Sequence, residues 1–358
     1  MRADQAKGYG LEGINAADTA ISHVDGERGQ LVIVGHEVEQ LAAVGTFEQV
    51  AQAVLDAGRS APLELSTRLG QARLAAWEHV PRLGDALDAK DGMEALRASL
   101  AHLRASGDDD ADAITAIGAA AVFVAAWSRT HRGLAPVAPS ADDDHTTDYL
   151  RMTTGLVPEV AAAKALGAYL ITVIDHGMNA STFTARVIAS TASDLISAVV
   201  GAVGALKGPL HGGAPGPVLD MLDAIGTPAN AEPWLLNELA ACNRIMGMGH
   251  RIYRVRDPRA AVLEVAVKPL NTTRLELAHA VEAAAAKILR ERKPDRPLAA
   301  NVEFYTAVLL DAVGLPRAQF SPTFAVGRIA GWCAHVLEQR RTGKLIRPAS
   351  TYVGALPS

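Results

Sequence analysis

Apolar positions in this chain recur with a helical period nearly throughout, and alternate with a strand period in one place only. Near the start, residues 19–24 and 30–34 flank Asp25-Gly26-Glu27-Arg28-Gly29. Two short runs around a glycine-bearing loop predict a β-hairpin. Further on, Met93, Leu96, Leu100 and Leu103 fall on one face of a helix. Thr273 and Glu276 have capping-box spacing ahead of Leu275, Ala278, Val281, Ala285 and Ile288, which again share a face. Residues 113–127 carry no charge and predict a buried helix, being fewer than the roughly 20 that span a membrane. The acidic runs at 108–112 and 142–144 read as solvated loops or helix starts. Two glycine- and proline-rich stretches, 208–217 and 293–300, interrupt the pattern where hinges and binding loops belong.

Composition sharpens this picture. Aromatic residues are only 4% and alanine is abundant, which favours helix over sheet and gives a mainly α fold. A length of 358 residues suggests about two domains. The net charge of −5 argues against a general nucleic-acid binder, though clustered arginines can still hold a small anion. Cys242 and Cys333 form no CxxC pair, and the N-terminus is polar without an apolar signal segment. Both features lead us to expect a reducing, cytoplasmic setting.

Three segments carry candidate chemistry. In Lys207-Gly208-Pro209-Leu210-His211-Gly212-Gly213-Ala214, glycines around a histidine let backbone approach a ligand closely. Taken alone, this is equally a plain turn between helices. Met246-Gly247-Met248-Gly249-His250-Arg251-Ile252-Tyr253-Arg254-Val255-Arg256-Asp257-Pro258-Arg259 joins a histidine to four arginines, the side chain suited to forked binding of carboxylates and phosphates. It is not a dinucleotide fingerprint, since no strand precedes it. In Asn301-Val302-Glu303-Phe304-Tyr305, a lone carboxylate sits among apolar neighbours. Such a residue is usually on the surface, but if buried it becomes a candidate general base. Asp144-His145 lacks neighbours to complete a metal site, and no HExxH motif is present.

Together with Ile21-Ser22-His23-Val24-Asp25-Gly26-Glu27-Arg28-Gly29, Asp175-His176-Gly177-Met178-Asn179-Ala180-Ser181, Phe324-Ala325-Val326-Gly327-Arg328-Ile329-Ala330-Gly331-Trp332 and Arg347-Pro348, these segments resemble the citrate synthase family over nearly the whole chain. The resemblance implies a two-domain helical fold with a small N-terminal β-hairpin. A large domain would comprise 1–214 and 327–358, and a small domain 215–326. It implies an acyltransferase that condenses acetyl-CoA with oxaloacetate to give citrate and CoA. The alternatives are a 2-methylcitrate synthase using propionyl-CoA, or a catalytically weak acyl-CoA and oxo-acid binding protein.

By the same resemblance, His211 stabilises the acyl enolate, His250 polarises the 2-oxo carbonyl, and Glu303 is the base. His176, Arg259 and Arg328 hold the oxo acid. Arg347 serves the site of the neighbouring subunit, which implies a homodimer, with residues 195–206 a candidate packing surface. Arg254 and Arg296 contact CoA. No cofactor is implied, since the CoA thioester is a substrate. The sequence departs from the family pattern at Glu303, where the usual base is aspartate, and at Gly177 and Val34, where many relatives carry glutamate and arginine. The extra methylene of Glu303 reaches about 1.5 Å further, and misplacement by about 1 Å can cost on the order of 100-fold in rate.

Overall fold

The computed structural model describes residues 11, 13–57, 64–211, 215–292 and 298–356. Strands among these lie only near the N-terminal end. β1 (Ser22–Asp25) and β2 (Gln30–Ile33) pair antiparallel, with Ser22 opposite Ile33 and Val24 opposite Leu31. Leu31 and Ile33 are buried, as is Ile21 just before the sheet. The predicted hairpin gains a third strand, β3 (His36–Glu37), on the far edge of β2. The connection passes through Val34 at φ 47° and Gly35 at φ 81°, both left-handed. Glycine takes that conformation freely, whereas valine is strained in it.

Fifteen α-helices follow among the described residues. The first are α1 (Val38–Val44), α2 (Phe47–Asp56), α3 (Leu65–Trp77), α4 (Gly92–Leu100) and α5 (Asp109–His131). The predicted apolar face of Met93, Leu96, Leu100 and Leu103 is buried. α5 is long and apolar enough to cross a membrane by length and composition, yet 89% of its apolar window is enclosed by the protein. It is a core helix, as its charge-free alanine-rich run predicts. The acidic runs are helix starts: Asp108 accepts from the amides of Asp110 and Ala111, and Asp144 caps α6 (His145–Thr154) in the same way. Each such cap satisfies amide groups that the helix itself leaves unpaired.

Next come α7 (Val160–Val173), α8 (Ala180–Ser190), α9 (Leu195–Leu206), α10 (Pro215–Ile225), α11 (Ala231–Ala240), α12 (Pro258–Val267), α13 (Arg274–Arg292), α14 (Val302–Ala312) and α15 (Phe320–Thr342). α13 buries Ala278, Val281, Ala285 and Ile288 as predicted, but its first-turn amide at Arg274 is met by the Thr272 hydroxyl. α15 packs against α2, α5, α7, α8 and α9, while α10, α11, α13 and α14 pack among themselves. α12 lies between the two sets, touching α14 on one side and α1 and α7 on the other. Cys333 is buried in α15, and Cys242 is exposed just after α11.

Candidate active site

The turn after α7 holds the first functional side chain. Asp175 accepts a hydrogen bond from the Gly177 amide at 2.9 Å, and Gly177 adopts φ 61°, which reverses the chain around His176. The His176 ring is buried, with Nε2 3.1 Å from the Tyr253 hydroxyl. Three residues on, Asn179 caps α8 by accepting from the Ser181 and Thr182 amides. The Ser181 amide also donates to His211 Nε2 at 3.0 Å. Nε2 also lies 2.9 Å from Ser181 Oγ and 3.1 Å from Asn179 Oδ1. With the Ser181 amide as its donor, the neutral ring carries its hydrogen on Nδ1, a tautomer assigned from that amide.

The second histidine loop is built on glycine. Gly247 at φ 73° and Gly249 at φ 87° allow residues 247–249 to run beside 299–301, with Gly249 N–H donating to Ala299 O and Asn301 N–H to Gly247 O. A Cβ on Gly247 would meet Phe304 at 2.9 Å, and one on Gly249 would meet Leu298 at 2.8 Å. Close approach and positive φ thus explain both glycines before His250. His250 Nδ1 accepts from the amides of Ile252 and Tyr253 at 3.1 and 3.2 Å, which places the ring hydrogen on Nε2. Asn301 ties this loop to the third segment: its Nδ2 donates to Gly249 O, and its Oδ1 caps α14 by accepting from the Glu303 amide.

These segments converge. The rings of His176 and His250 lie 5.5 Å apart, and each packs against Tyr253. Arg259 is buried and forked onto Asp257, with Nε to Oδ1 at 3.0 Å and Nη2 to Oδ2 at 2.8 Å. Arg328 is buried over the Phe324 ring, and its Nε donates to the Val173 carbonyl at the end of α7. Glu303 is partly buried as a residue, and its Oε2 is enclosed with no hydrogen-bond partner among the described residues. A small apolar pocket lined by Leu206, Pro215, Ser321 and Phe324 opens beside it.

Burial dominates the electrostatics. It pushes the Glu303 carboxyl up to about 7, against the pull of Arg259 and Arg328. It pushes His250 down to about 4, helped by Arg259, and holds His176 well below the usual imidazole range. His211 is lowered for the same reason, with Arg328 contributing. Arg328 itself is lowered to about 10 by burial. For Arg259 the nearby Asp257 outweighs burial and holds its pKa above the usual value. The result is a pair of neutral imidazole donors, a carboxyl poised near neutrality, and two buried guanidinium groups. Such a set can deprotonate a weak carbon acid while steadying negative charge on carbonyl and carboxylate oxygens.

A family model described as citrate synthase, C-terminal domain, matches residues 10–349. The chain belongs to the citrate synthase family. It is therefore an enzyme of the acyltransferase type. It is 37% identical to the citrate synthase of Deinococcus radiodurans, over 97% of this chain and 95% of that protein. It is also 37% identical to the 2-methylcitrate synthase of Mycobacterium tuberculosis, over 96% of this chain and 90% of that protein. The crystal structure of citrate synthase from Pyrobaculum aerophilum superposes with a TM-score of 0.86 at 32% identity, covering 98% of this chain and 93% of that one.

Measured against the residues that the family resemblance singles out, the structure brings His176, His250, Arg259, Glu303 and Arg328 into one cluster. His211 lies at its edge, joined through the 179–181 segment. Arg254 and Arg347 are exposed, and Arg296 lies outside the described residues. The arginine run after His250 divides: Arg251 and Arg254 face solvent, Arg256 pairs with Glu264 and Glu282, and Arg259 alone enters the cluster. Sequence reasoning assigned no role to Tyr253, Asp257, Asp175 or Tyr169. The Asp257-Pro258 pair was a legible cap signal, and Asp257 does cap α12. Tyr169 gives no such signal, and its buried hydroxyl has no hydrogen-bond partner among the described residues.

Proposed function

We propose that the enzyme condenses acetyl-CoA with oxaloacetate and hydrolyses the resulting thioester, giving citrate and CoA. The observation that carries this reading is the enclosed Glu303 carboxyl, held near neutrality by burial against the pull of Arg259 and Arg328, the same two guanidinium groups that add to burial in lowering the His176 imidazole. Oxaloacetate would be held by Arg259, Arg328 and His176, with His250 Nε2–H donating to the 2-oxo carbonyl. Glu303 removes a proton from the acyl α-carbon while His211 Nδ1–H donates to the thioester oxygen. A thioester α-hydrogen is only weakly acidic, so base and oxyanion donor must act on it together. The α-carbon then attacks the 2-oxo carbon, and the new alkoxide takes its proton from His250. Water cleaves the C–S bond and releases CoA. No cofactor is required, since the thioester is itself the second substrate.

Arg254 and Arg296 serve the CoA phosphates in this reading. Residues 1–214 with 327–358 form one body and 215–326 the other in this reading; α10, α11, α13 and α14 pack on one another, and α10, α12 and α14 also meet helices that lie wholly or partly in the first body. Arg347 completes the site of the partner subunit in a homodimer. Support comes from its exposed position in a tail that also exposes Leu345, Tyr352, Val353 and Leu356 to solvent. The relatives named citrate synthase and 2-methylcitrate synthase above are both 37% identical to this chain. One methylene discriminates by only about 1–3 kcal/mol in a pocket, so the choice rests on measurement. Oxaloacetate-dependent CoA release should run with a higher kcat/KM for acetyl-CoA than for propionyl-CoA. The reverse order would assign the enzyme to 2-methylcitrate synthesis, and no release with either would leave only a binding function.

A further inference from the structure

α15 reaches the site with more than Arg328. Trp332, His335 and Gln339 follow it at intervals of four, three and four residues, so all four lie along one helix face. The helix approaches so closely that a Cβ on Gly331 would lie 2.1 Å from the Ile174 carbonyl. Trp332 Nε1–H donates to Ser181 Oγ at 3.1 Å, and His335 Nε2 lies 3.1 Å from Asp175 Oδ1. Both Ser181 and Asp175 belong to the segment that presents His176 and contacts His211.

The buried network behind His335 fixes its chemistry. His335 Nδ1 is 2.8 Å from Arg186 Nη1, which also donates to Glu338 Oε2 at 2.6 Å. A guanidinium has only donors, so Nδ1 must accept and the ring hydrogen must sit on Nε2, facing Asp175. Asp175 Oδ2 is used in turn by the Ser22 hydroxyl and the Gly177 amide. Ser22 Oγ itself accepts from the Gly177 amide at 3.0 Å. Burial pushes the Asp175 carboxyl up, but His335, Arg328 and Ser22 outweigh it and hold it below its usual range. The turn bearing His176 is thus clamped from α15 on one side and β1 on the other.

We propose that His335 is a positioning residue for the oxo-acid subsite: its Nε2–H anchors Asp175, and Asp175 holds the turn that aims His176. The inference rests on the oxo-acid reading of His176 given above. Two substitutions separate the hydrogen bonds of the imidazole. His335→Asn keeps an acceptor near the Nδ1 position for Arg186 and deletes the donor to Asp175. His335→Gln keeps a donor near Nε2 and gives up the acceptor. Oxaloacetate binding, measured by calorimetry on the full chain, should weaken at least 10-fold in His335→Asn and by less than 3-fold in His335→Gln. The affinity for CoA alone should change by less than 2-fold in either. A purely structural role would make both variants suffer alike and would move CoA binding with oxaloacetate binding. Asn-variant protein that binds oxaloacetate as tightly as the unmutated enzyme overturns the inference alone. Unmutated enzyme that binds no oxaloacetate overturns the functional reading and this inference with it. If His335→Asn does not fold, Asp175→Asn provides the same readout, since it removes the carboxylate that His335 anchors. Unchanged oxaloacetate affinity in that variant also overturns the proposal.

Discussion

A glutamate ordinarily ionises near 4.5, and Glu303 is held near 7 because burial removes the water that would stabilise its charge. The same fact carries a cost in stability. A raised native pKa favours the fold while both states are protonated, and that contribution is lost as pH climbs from the unfolded value through the native one. Glu303→Gln should therefore match the unmutated enzyme in stability near pH 5 and exceed it near pH 8 by on the order of 2–3 kcal/mol. Urea unfolding at both pH values and one protein concentration checks this, and an equal difference at the two would contradict it. At this scale the sequence was partly legible. A lone carboxylate among apolar neighbours marked Glu303, but composition could not show that Arg259 alone of its run turns inward. That depends on Asp257, which caps α12 and offers Arg259 a buried forked partner.

Elements show where local signals suffice and where they fail. The hairpin, the buried face of α4 and the apolar face of α13 follow from periodicity, because each is set by neighbours three or four residues away, or two in a strand. β3 was missed because two residues cannot display an alternation. The residues 299–301 that pair with the His250 loop were likewise invisible, since their partner lies some fifty positions earlier. Asn301 joins these two elements, and its amide can be split by substitution. Asn301→Asp keeps the oxygen that caps α14 and loses the donor to Gly249 O, while Asn301→Ala loses both. We expect the Asp variant to stay within about 0.5 kcal/mol of the original stability, and the Ala variant to lose about 1–2 kcal/mol. Both should lower kcat at least 10-fold, because the loop bearing His250 is no longer registered against the helix bearing Glu303. Full kcat in the Asp variant would show that the capping role is the only one Asn301 plays.

Across the whole molecule, groups from distant parts of the chain meet, as His335 and Asp175 do across 160 positions. Pairings of that kind leave no spacing in a sequence, whereas the family motifs around His176, His250 and Arg328 do mark which segments converge. The proposed oxo-acid ligands divide between the two proposed bodies, His176 and Arg328 in one and Arg259 in the other. Oxaloacetate would then favour their closure through contacts made in only one state. Acetyl-CoA titrated by calorimetry should bind more tightly with saturating oxaloacetate than without it, and Arg259→Ala should remove the difference. Equal affinities in the unmutated enzyme would show that the sites are uncoupled. A homodimer sharing Arg347 makes a further prediction. Inactive Arg347→Ala and inactive His250→Ala chains, once subunits have exchanged, should regain partial activity. Demonstrated exchange without recovery would place Arg347 outside the partner's site. The most direct test of the account is oxaloacetate-dependent CoA release from acetyl-CoA by Glu303→Gln. The enclosed carboxyl as base predicts a kcat at least 100-fold below that of the unmutated enzyme, with oxaloacetate affinity nearly unchanged. Near-normal release by the variant would contradict it.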